Sequence, residues 1–135
     1  MTMWMLDTNI VSAAIRQKSA ALDKRLKEAV AGSGLCVSAV TFGEARYGAA
    51  FAPERTHLVE SLDAFFLELQ IMPWTAATAT VYGHLRADMR HSGFALQPLD
   101  MLIAAHALEA GATLVTSDRA FLHVPGLVVE DWTAR

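Results

Sequence analysis

The stretch PLDMLIAAHALEAGATLVT, residues 98–116, decides the fold. Proline is tolerated in the first turn of a helix, and Gly111 is typical of a helix end, so a helix is predicted over 98–110. The apolar run at 113–116 predicts a short buried strand directly after that helix. A helix that leads into a buried strand is the repeating unit of a parallel sheet covered by helices.

The same alternation of short apolar runs and amphipathic segments continues on both sides of this stretch. Further strands are predicted at 3–6, 35–38, 70–73 and 127–130. Further helices are predicted at 9–16, 20–31, 41–50 and 54–69, and between Thr75 and Gly93. Within 54–69, Leu58, Leu62, Phe65 and Leu69 form an apolar stripe at helical spacing. We therefore expect an α/β fold, with a mostly parallel central sheet and helices on both faces, in a single domain over 1–135.

The composition is that of a folded chain without a membrane span. Of the 135 residues, 53% are hydrophobic and 19% charged, which excludes intrinsic disorder. The lone Cys36 cannot form an intrachain disulfide or a multi-cysteine metal site, and we expect it to be buried in a strand. The apolar N-terminus lacks a basic leader, and Asp100 and Glu109 interrupt the most apolar stretch, 99–115. A cytoplasmic protein is expected.

The net charge of −3 argues weakly against a nucleic-acid partner, because phosphate binding depends on lysine and arginine. If four of the 14 acidic residues belong to a metal site, however, the other ten nearly balance the 11 basic residues. A metal-dependent nuclease is therefore compatible with the charge.

Four acidic residues are predicted at one edge of the sheet. Asp7 follows the first predicted strand, Glu44 lies one or two turns beyond the second, and Asp118 follows the strand at 113–116. Asp100 occupies the first turn of a helix. Ligands of open parallel sheets bind beyond the carboxyl ends of the strands. Crowded carboxylates need a cation, and oxygen ligands select Mg²⁺ or Mn²⁺, which can activate water for phosphodiester hydrolysis.

Each of these acids also has a purely structural interpretation. Asp7 could cap a helix, and Thr41-x-x-Glu44 matches a capping box. Asp100 could interact with the helix dipole, and Asp118 could begin a turn. Spacing alone leaves both interpretations open.

Four ordered segments carry a family resemblance. The segment Met5-Leu-Asp-Thr-Asn-Ile-Val11 resembles the opening of PIN-domain ribonucleases, especially the VapC-type toxins of bacterial toxin–antitoxin modules. The regions 37–48 and 100–108 are similar to the family's second-acid and third-acid segments. The region 113–121, continued by 124–132, resembles its C-terminal signature. The likeness spans nearly the whole chain.

The resemblance implies a PIN-like three-layer fold and a Mg²⁺-dependent endoribonuclease, with Mn²⁺ as a plausible substitute. The acidic metal-site roles then belong to Asp7, Glu44, Asp100 and Asp118. Asp7 and Asp100 resemble direct metal ligands, whereas Glu44 and Asp118 would bind water or a second ion. Asn9 and Ser117 resemble polar residues that orient these acids.

The resemblance also implies the partners. These are an RNA substrate such as a tRNA or ribosomal RNA loop, a VapB-type antitoxin, and a second copy of the chain in a homodimer. Two alternatives stay open: a catalytically silent PIN-fold module that only binds the antitoxin, and a phosphohydrolase of the haloacid dehalogenase type. The latter needs Asp-x-Asp after the first strand, and here Asn9 takes the second position.

Several other residues are interpreted as structural or left unassigned. His106 stands among alanines and is expected to be a core or interface histidine. Arg86 and Arg90 could contact phosphates or form a solvated face. The tryptophans, Trp4, Trp74 and Trp132, lie beside predicted strands and are expected in the core or at an interface.

Overall fold

The computed structural model describes residues 2–32, 34–52 and 54–134, which form a central sheet covered by helices. The strands are Trp4–Leu6 (β1), Leu35–Ser38 (β2), Gln70–Met72 (β3), Thr113–Val115 (β4) and Val129–Glu130 (β5). The helices are Thr8–Ile15 (α1), Ala20–Ala31 (α2), Ala39–Phe51 (α3), Thr56–Leu67 (α4), Ala76–His91 (α5) and Pro98–Ala110 (α6). A short 3-10 helix, Arg119–His123, precedes β5.

The sheet has the strand order β3-β2-β1-β4-β5, and all neighbouring strands are parallel. In the centre, Trp4 is opposite Leu35 on one side and Thr113 on the other. The chain runs outward from β1 through β2 to β3 and then crosses to β4 on the other side of β1. Such a reversal opens a crevice beyond the carboxyl ends of the two strands. The β1–β4 crevice is therefore where a ligand site is expected.

Residues that alternate along the strands build a separate core on each face of the sheet. Leu6 and Val115 face one side, where they pack with α1, α2 and α4. Met5 and Leu114 face the other side, with α5 and α6. The apolar helix α6 is thus accounted for as a core element. Within the described ranges, no helix is long and apolar enough to cross a membrane.

Several local signals act as the sequence predicts. The bounds of α2, β2 and α6 are those expected, and Cys36 is buried in β2. Thr75 caps α5 in a reciprocal arrangement with Thr78. Gly111 ends α6 with a φ of +67°, a left-handed conformation that an L side chain rarely adopts.

Other boundaries differ from the prediction. The helix expected from residue 41 begins at Ala39, because Ser38 at the end of β2 already caps it through a hydrogen bond from the Val40 amide at 3.1 Å. Helix α4 is shorter than expected, and Phe66 is buried in its core-facing stripe whereas Phe65 is only half-buried. The 3-10 helix after β4 was not predicted.

Candidate active site

Asp7 is a buried carboxylate at the centre of the crevice, directly after β1. It is 2% exposed and caps α1, since its Oδ1 accepts a hydrogen bond from the Ile10 amide at 2.8 Å. Its Oδ2 accepts a hydrogen bond from the Thr116 hydroxyl at 2.5 Å. These two hydrogen bonds come from opposite sides of the crevice and fix the orientation of the carboxylate.

The environment of Asp7 opposes its ionisation. Burial is the main reason that the pKa of Asp7 rises from 3.8 to about 6. The hydrogen bonds from Thr116 and Ile10 act in the opposite direction, because they favour the charged form. The charges of Asp100 and Asp118 raise the pKa of Asp7 further. Asp7 is thus held in a site of negative potential.

Asp118 and Asp100 complete this group of aspartates. The amide of Asp118 donates to the Thr116 hydroxyl at 3.0 Å, and its Oδ1 accepts from the Ala120 amide at 2.9 Å, which caps the 3-10 helix. Asp100 lies in the first turn of α6 and is half-buried. Burial raises the pKa of Asp100, and the charge of Asp118 adds to this effect.

Glu44 lies on α3 and is not among the charges that raise the pKa of Asp7 or Asp100. Together with Thr8, Asn9 and Ser12 of α1, it lines a cavity of about 520 Å³ that extends towards α4. The capping box that Thr41 and Glu44 could have formed is absent, because the helix begins two residues before Thr41. Thr41 is fully buried, and its hydroxyl instead accepts a hydrogen bond from Thr8 at 3.4 Å. Because Thr41 lies inside the helix, Glu44 does not serve as the second member of a capping box.

The three aspartates fit a hard divalent cation by the chemistry of their donors. All of the donors are carboxylate oxygens, and neighbouring negative charge raises the pKa of Asp7 and of Asp100, an effect that a bound cation would relieve. Among residues 2–32, 34–52 and 54–134, no three His, Cys, Asp or Glu side chains are close enough to form a complete metal-binding group. The aspartates are therefore neighbours that interact through charge.

The two polar residues expected to orient the acids are both exposed. Asn9 lines the cavity that contains Glu44. Ser117 is adjacent in sequence to the residue that makes the contact, Thr116, which sequence reasoning missed. The signal was a threonine at the end of a buried strand, two residues before an acid. A polar side chain in that position is buried beside the carboxylate and must find a hydrogen-bond partner.

Of the other residues singled out in the sequence, Arg86 and Arg90 are exposed, whereas His106 and Cys36 belong to the core. His106 is 1% exposed, and its Nδ1 lies 2.7 Å from the Ser38 hydroxyl, as expected for a core histidine. Burial lowers the pKa of His106 and raises the pKa of the Cys36 thiol to about 11, so the thiol is not a reactive nucleophile. Trp4 and Trp132 pack edge to face, with their ring centroids 5.7 Å apart.

The family model for the PIN domain matches residues 4–127. Ribonuclease VapC2 of Rickettsia felis is 31% identical over 130 residues, which cover 96% of this chain and 97% of that protein. The tRNA(fMet)-specific endonuclease VapC of Shigella flexneri is 36% identical over 136 residues, which cover 98% of this chain and 100% of that protein.

Solved structures show the same likeness. A chain in the crystal structure of VapBC2 from Rickettsia felis, bound to a DNA fragment from their promoter, has a TM-score of 0.90 and 29% identity. That match covers 96% of this chain and 98% of the other. A chain in the DNA-bound VapBC structure from Salmonella typhimurium has a TM-score of 0.88 and 32% identity, with 98% and 99% covered.

The match over 4–127, together with the acidic crevice between β1 and β4, defines the class: this chain belongs to the PIN-domain family. Its relatives over the full length include ribonucleases named VapC, and these support a nuclease activity, the hydrolysis of phosphodiester bonds.

Proposed function

We propose that this chain is a metal-dependent endoribonuclease and the toxin of a toxin–antitoxin pair. The observation that carries the proposal is the buried Asp7 at the β1–β4 crevice, whose pKa is raised by burial and by the nearby charges of Asp100 and Asp118. A group that is merely structural has little reason to collect two further negative charges around a buried carboxylate, since that arrangement costs stability. The full-length relatives named as VapC ribonucleases support assigning nuclease chemistry to this site.

Asp7 and Asp100 would hold Mg²⁺ directly, or Mn²⁺ in its place, while Asp118 and Glu44 would bind water or a second ion. When bound, such an ion lowers the pKa of a water for attack on the phosphate and stabilises the leaving oxygen. Four oxygen donors spread over four segments suit Mg²⁺, which keeps several waters and takes few direct carboxylates.

The residues of this chain prepare the site for that reaction. Thr116 donates to Asp7 and accepts from the Asp118 amide, so one hydroxyl sets the positions of both acids. The hydrogen bond from the Ile10 amide holds the other oxygen of Asp7. Glu44, in the adjoining cavity, can hold a water on the side of α3. No residue of this arrangement has to form a covalent intermediate.

The similarity to VapC proteins also suggests the partners that we propose. Relatives crystallise as VapBC complexes, and two grooves of this chain could receive an antitoxin. One is the 520 Å³ cavity beside Glu44, and the other is a cavity of about 470 Å³ between α1, α2 and α4. We propose a VapB-type antitoxin, a structured RNA such as a tRNA or ribosomal RNA loop as the substrate, and a homodimer.

The test is cleavage of total RNA by the purified chain, with sequencing of the new 5′ ends. We expect discrete cuts with Mg²⁺, none with EDTA, and none in Asp100→Asn, which should still fold and bind the antitoxin. Asp88→Asn, at an exposed position of α5, is the matched control and should cleave normally.

A chain that binds an antitoxin but never cuts RNA would support the silent binding module instead. Release of phosphate from small phosphate esters without RNA cleavage would support the haloacid dehalogenase type. Cleavage that persists in EDTA would contradict the metal-dependent mechanism.

A further inference from the structure

Phe94 and His123 form an aromatic stack on the surface of the protein. Their ring centroids are 4.2 Å apart and their planes differ by 14°, so the rings are close to parallel. Phe94 is 45% exposed, and His123 is also exposed. The pair leaves aromatic surface open to solvent, where a flat ring can stack on it.

The stack connects the two segments that carry acids of the candidate site. Phe94 lies in the loop between α5 and α6, six residues before Asp100, and His123 ends the 3-10 helix that Asp118 begins. The charge of Asp118 raises the pKa of Asp100, so these segments are also close at the acids themselves. The stack therefore joins the segment that leads to Asp100 with the segment that follows Asp118.

The surroundings of the stack suit a nucleotide. Arg90 lies in the last turn of α5, just before the Phe94 loop, and Arg119 directly follows Asp118. Both arginines are exposed, and the ion pairs found in the described part of the chain involve neither. Cations of this kind attract phosphates, while an aromatic face attracts a base.

We propose that the Phe94–His123 stack holds an unpaired nucleobase of the RNA, next to the phosphate that is cut. This inference rests on the proposed ribonuclease function and deepens it, because it makes the stack a substrate-binding element. A base inside a duplex has its faces covered by its neighbours, so stacking on Phe94 requires a base that is splayed out. The proposed substrate is therefore cut in a single-stranded loop or at an unstacked position.

The first test measures binding without cleavage. Affinity for a labelled single-stranded RNA dodecamer is measured with Mg²⁺ in an Asp100→Asn background, where the RNA stays intact. Base–aromatic stacking predicts that adding Phe94→Ala weakens binding between about 5-fold and about 100-fold, and that Phe94→Trp retains it. Leu67→Ala is the control, because Leu67 is 85% exposed but lies at the end of α4, far along the chain from both acids. Leu67→Ala in the Asp100→Asn background should bind the dodecamer as tightly as Asp100→Asn alone, which is the parent protein of both tests.

The second test separates stacking from a structural role. A series of dodecamers carries an abasic nucleotide at each position in turn. If the stack holds one base, one abasic position weakens binding to the parent protein but has no further effect on Phe94→Ala. If Phe94→Ala weakens binding by the same factor for every dodecamer of the series, or does not weaken binding at all, the proposal is overturned. His123→Leu gives a second variant should Phe94→Ala fold poorly.

The outcomes also distinguish this inference from the function on which it rests. If the native chain cuts RNA and Phe94→Ala leaves KM and kcat unchanged, the stack has no substrate role but the ribonuclease function stands. If the native chain cuts no RNA, the ribonuclease function fails. A position-specific loss in the binding series would then still support a base-binding stack.

Discussion

Asp7→Asn removes the charge at the centre of the site and should stabilise the fold when no divalent cation is present. The folded-state pKa of Asp7 is about 6, above its ordinary value of 3.8, so folding favours the protonated form. Stability is therefore lost as the pH rises from about 4 through about 6. A difference of about two pKa units corresponds to about 3 kcal/mol in total, and about 1.4 kcal/mol of this falls between pH 5 and pH 8.

The asparagine is nearly isosteric and removes only this charge. Its Oδ1 can still accept from the Ile10 amide, and its Nδ2 can donate to the Thr116 hydroxyl after the hydroxyl turns. The stability advantage of Asp7→Asn over the native protein should thus widen by about 1.4 kcal/mol from pH 5 to pH 8. The histidines titrate in both proteins, so this comparison removes their contribution.

The assay is urea unfolding at pH 5, 6, 7 and 8 in EDTA, repeated with Mg²⁺. With the cation at 100 times its dissociation constant, the native protein should gain about 2.7 kcal/mol, whereas Asp7→Asn gains less. The stability advantage of Asp7→Asn over the native protein should therefore become smaller or reverse when Mg²⁺ is present. An advantage of Asp7→Asn that stays constant with pH, or a variant less stable than native at pH 8 in EDTA, would refute the reasoning about the buried charge.

The remaining predictions concern Thr116, Glu44 and Ser38. Thr116→Val should lower the free energy of unfolding by about 2 kcal/mol, measured in urea. It should also move the pH–rate profile of RNA cleavage to higher pH, because Asp7 loses a hydrogen bond that favours its charged form. Glu44→Gln should lose most of the cleavage rate at unchanged melting temperature, whereas Thr41→Val should keep the rate; full activity in Glu44→Gln would remove it from the site. Ser38→Ala should cost about 3 kcal/mol in urea unfolding, since it removes the cap of α3 and leaves the His106 Nδ1 without its partner. A loss below 1 kcal/mol would show that water replaces both contacts.

The alternating pattern was sufficient to predict the layered fold, because parallel strands buried on both faces are short apolar runs and helices are longer amphipathic ones. Segments with strong end signals, such as α6 between Pro98 and Gly111, have the predicted bounds. Boundaries failed where a residue could serve two elements. Ser38 is both the last residue of β2 and the cap of α3, and a capping signal at Thr41 competed with it.

The site was harder to predict than the fold, because its members interact across the sheet. The order β3-β2-β1-β4-β5 is needed to bring the end of β4 beside the end of β1. Only then does Thr116 meet Asp7, at a separation of 109 residues along the chain. Spacing alone cannot distinguish Thr116 from Ser117, since that depends on which side of the strand end faces the crevice.

The structural and the functional interpretations of the acids also turn out not to exclude one another. Asp7 caps α1 and Asp118 caps the 3-10 helix, yet the two also interact through charge, since Asp118 raises the pKa of Asp7. A carboxylate oxygen has two lone pairs, so it can accept a capping hydrogen bond and still bind a further ligand. A capping residue also lies where a strand ends and the next helix begins. In a parallel sheet, these strand ends share the edge where ligands bind. Capping therefore holds these acids in place at the edge where a cation would bind.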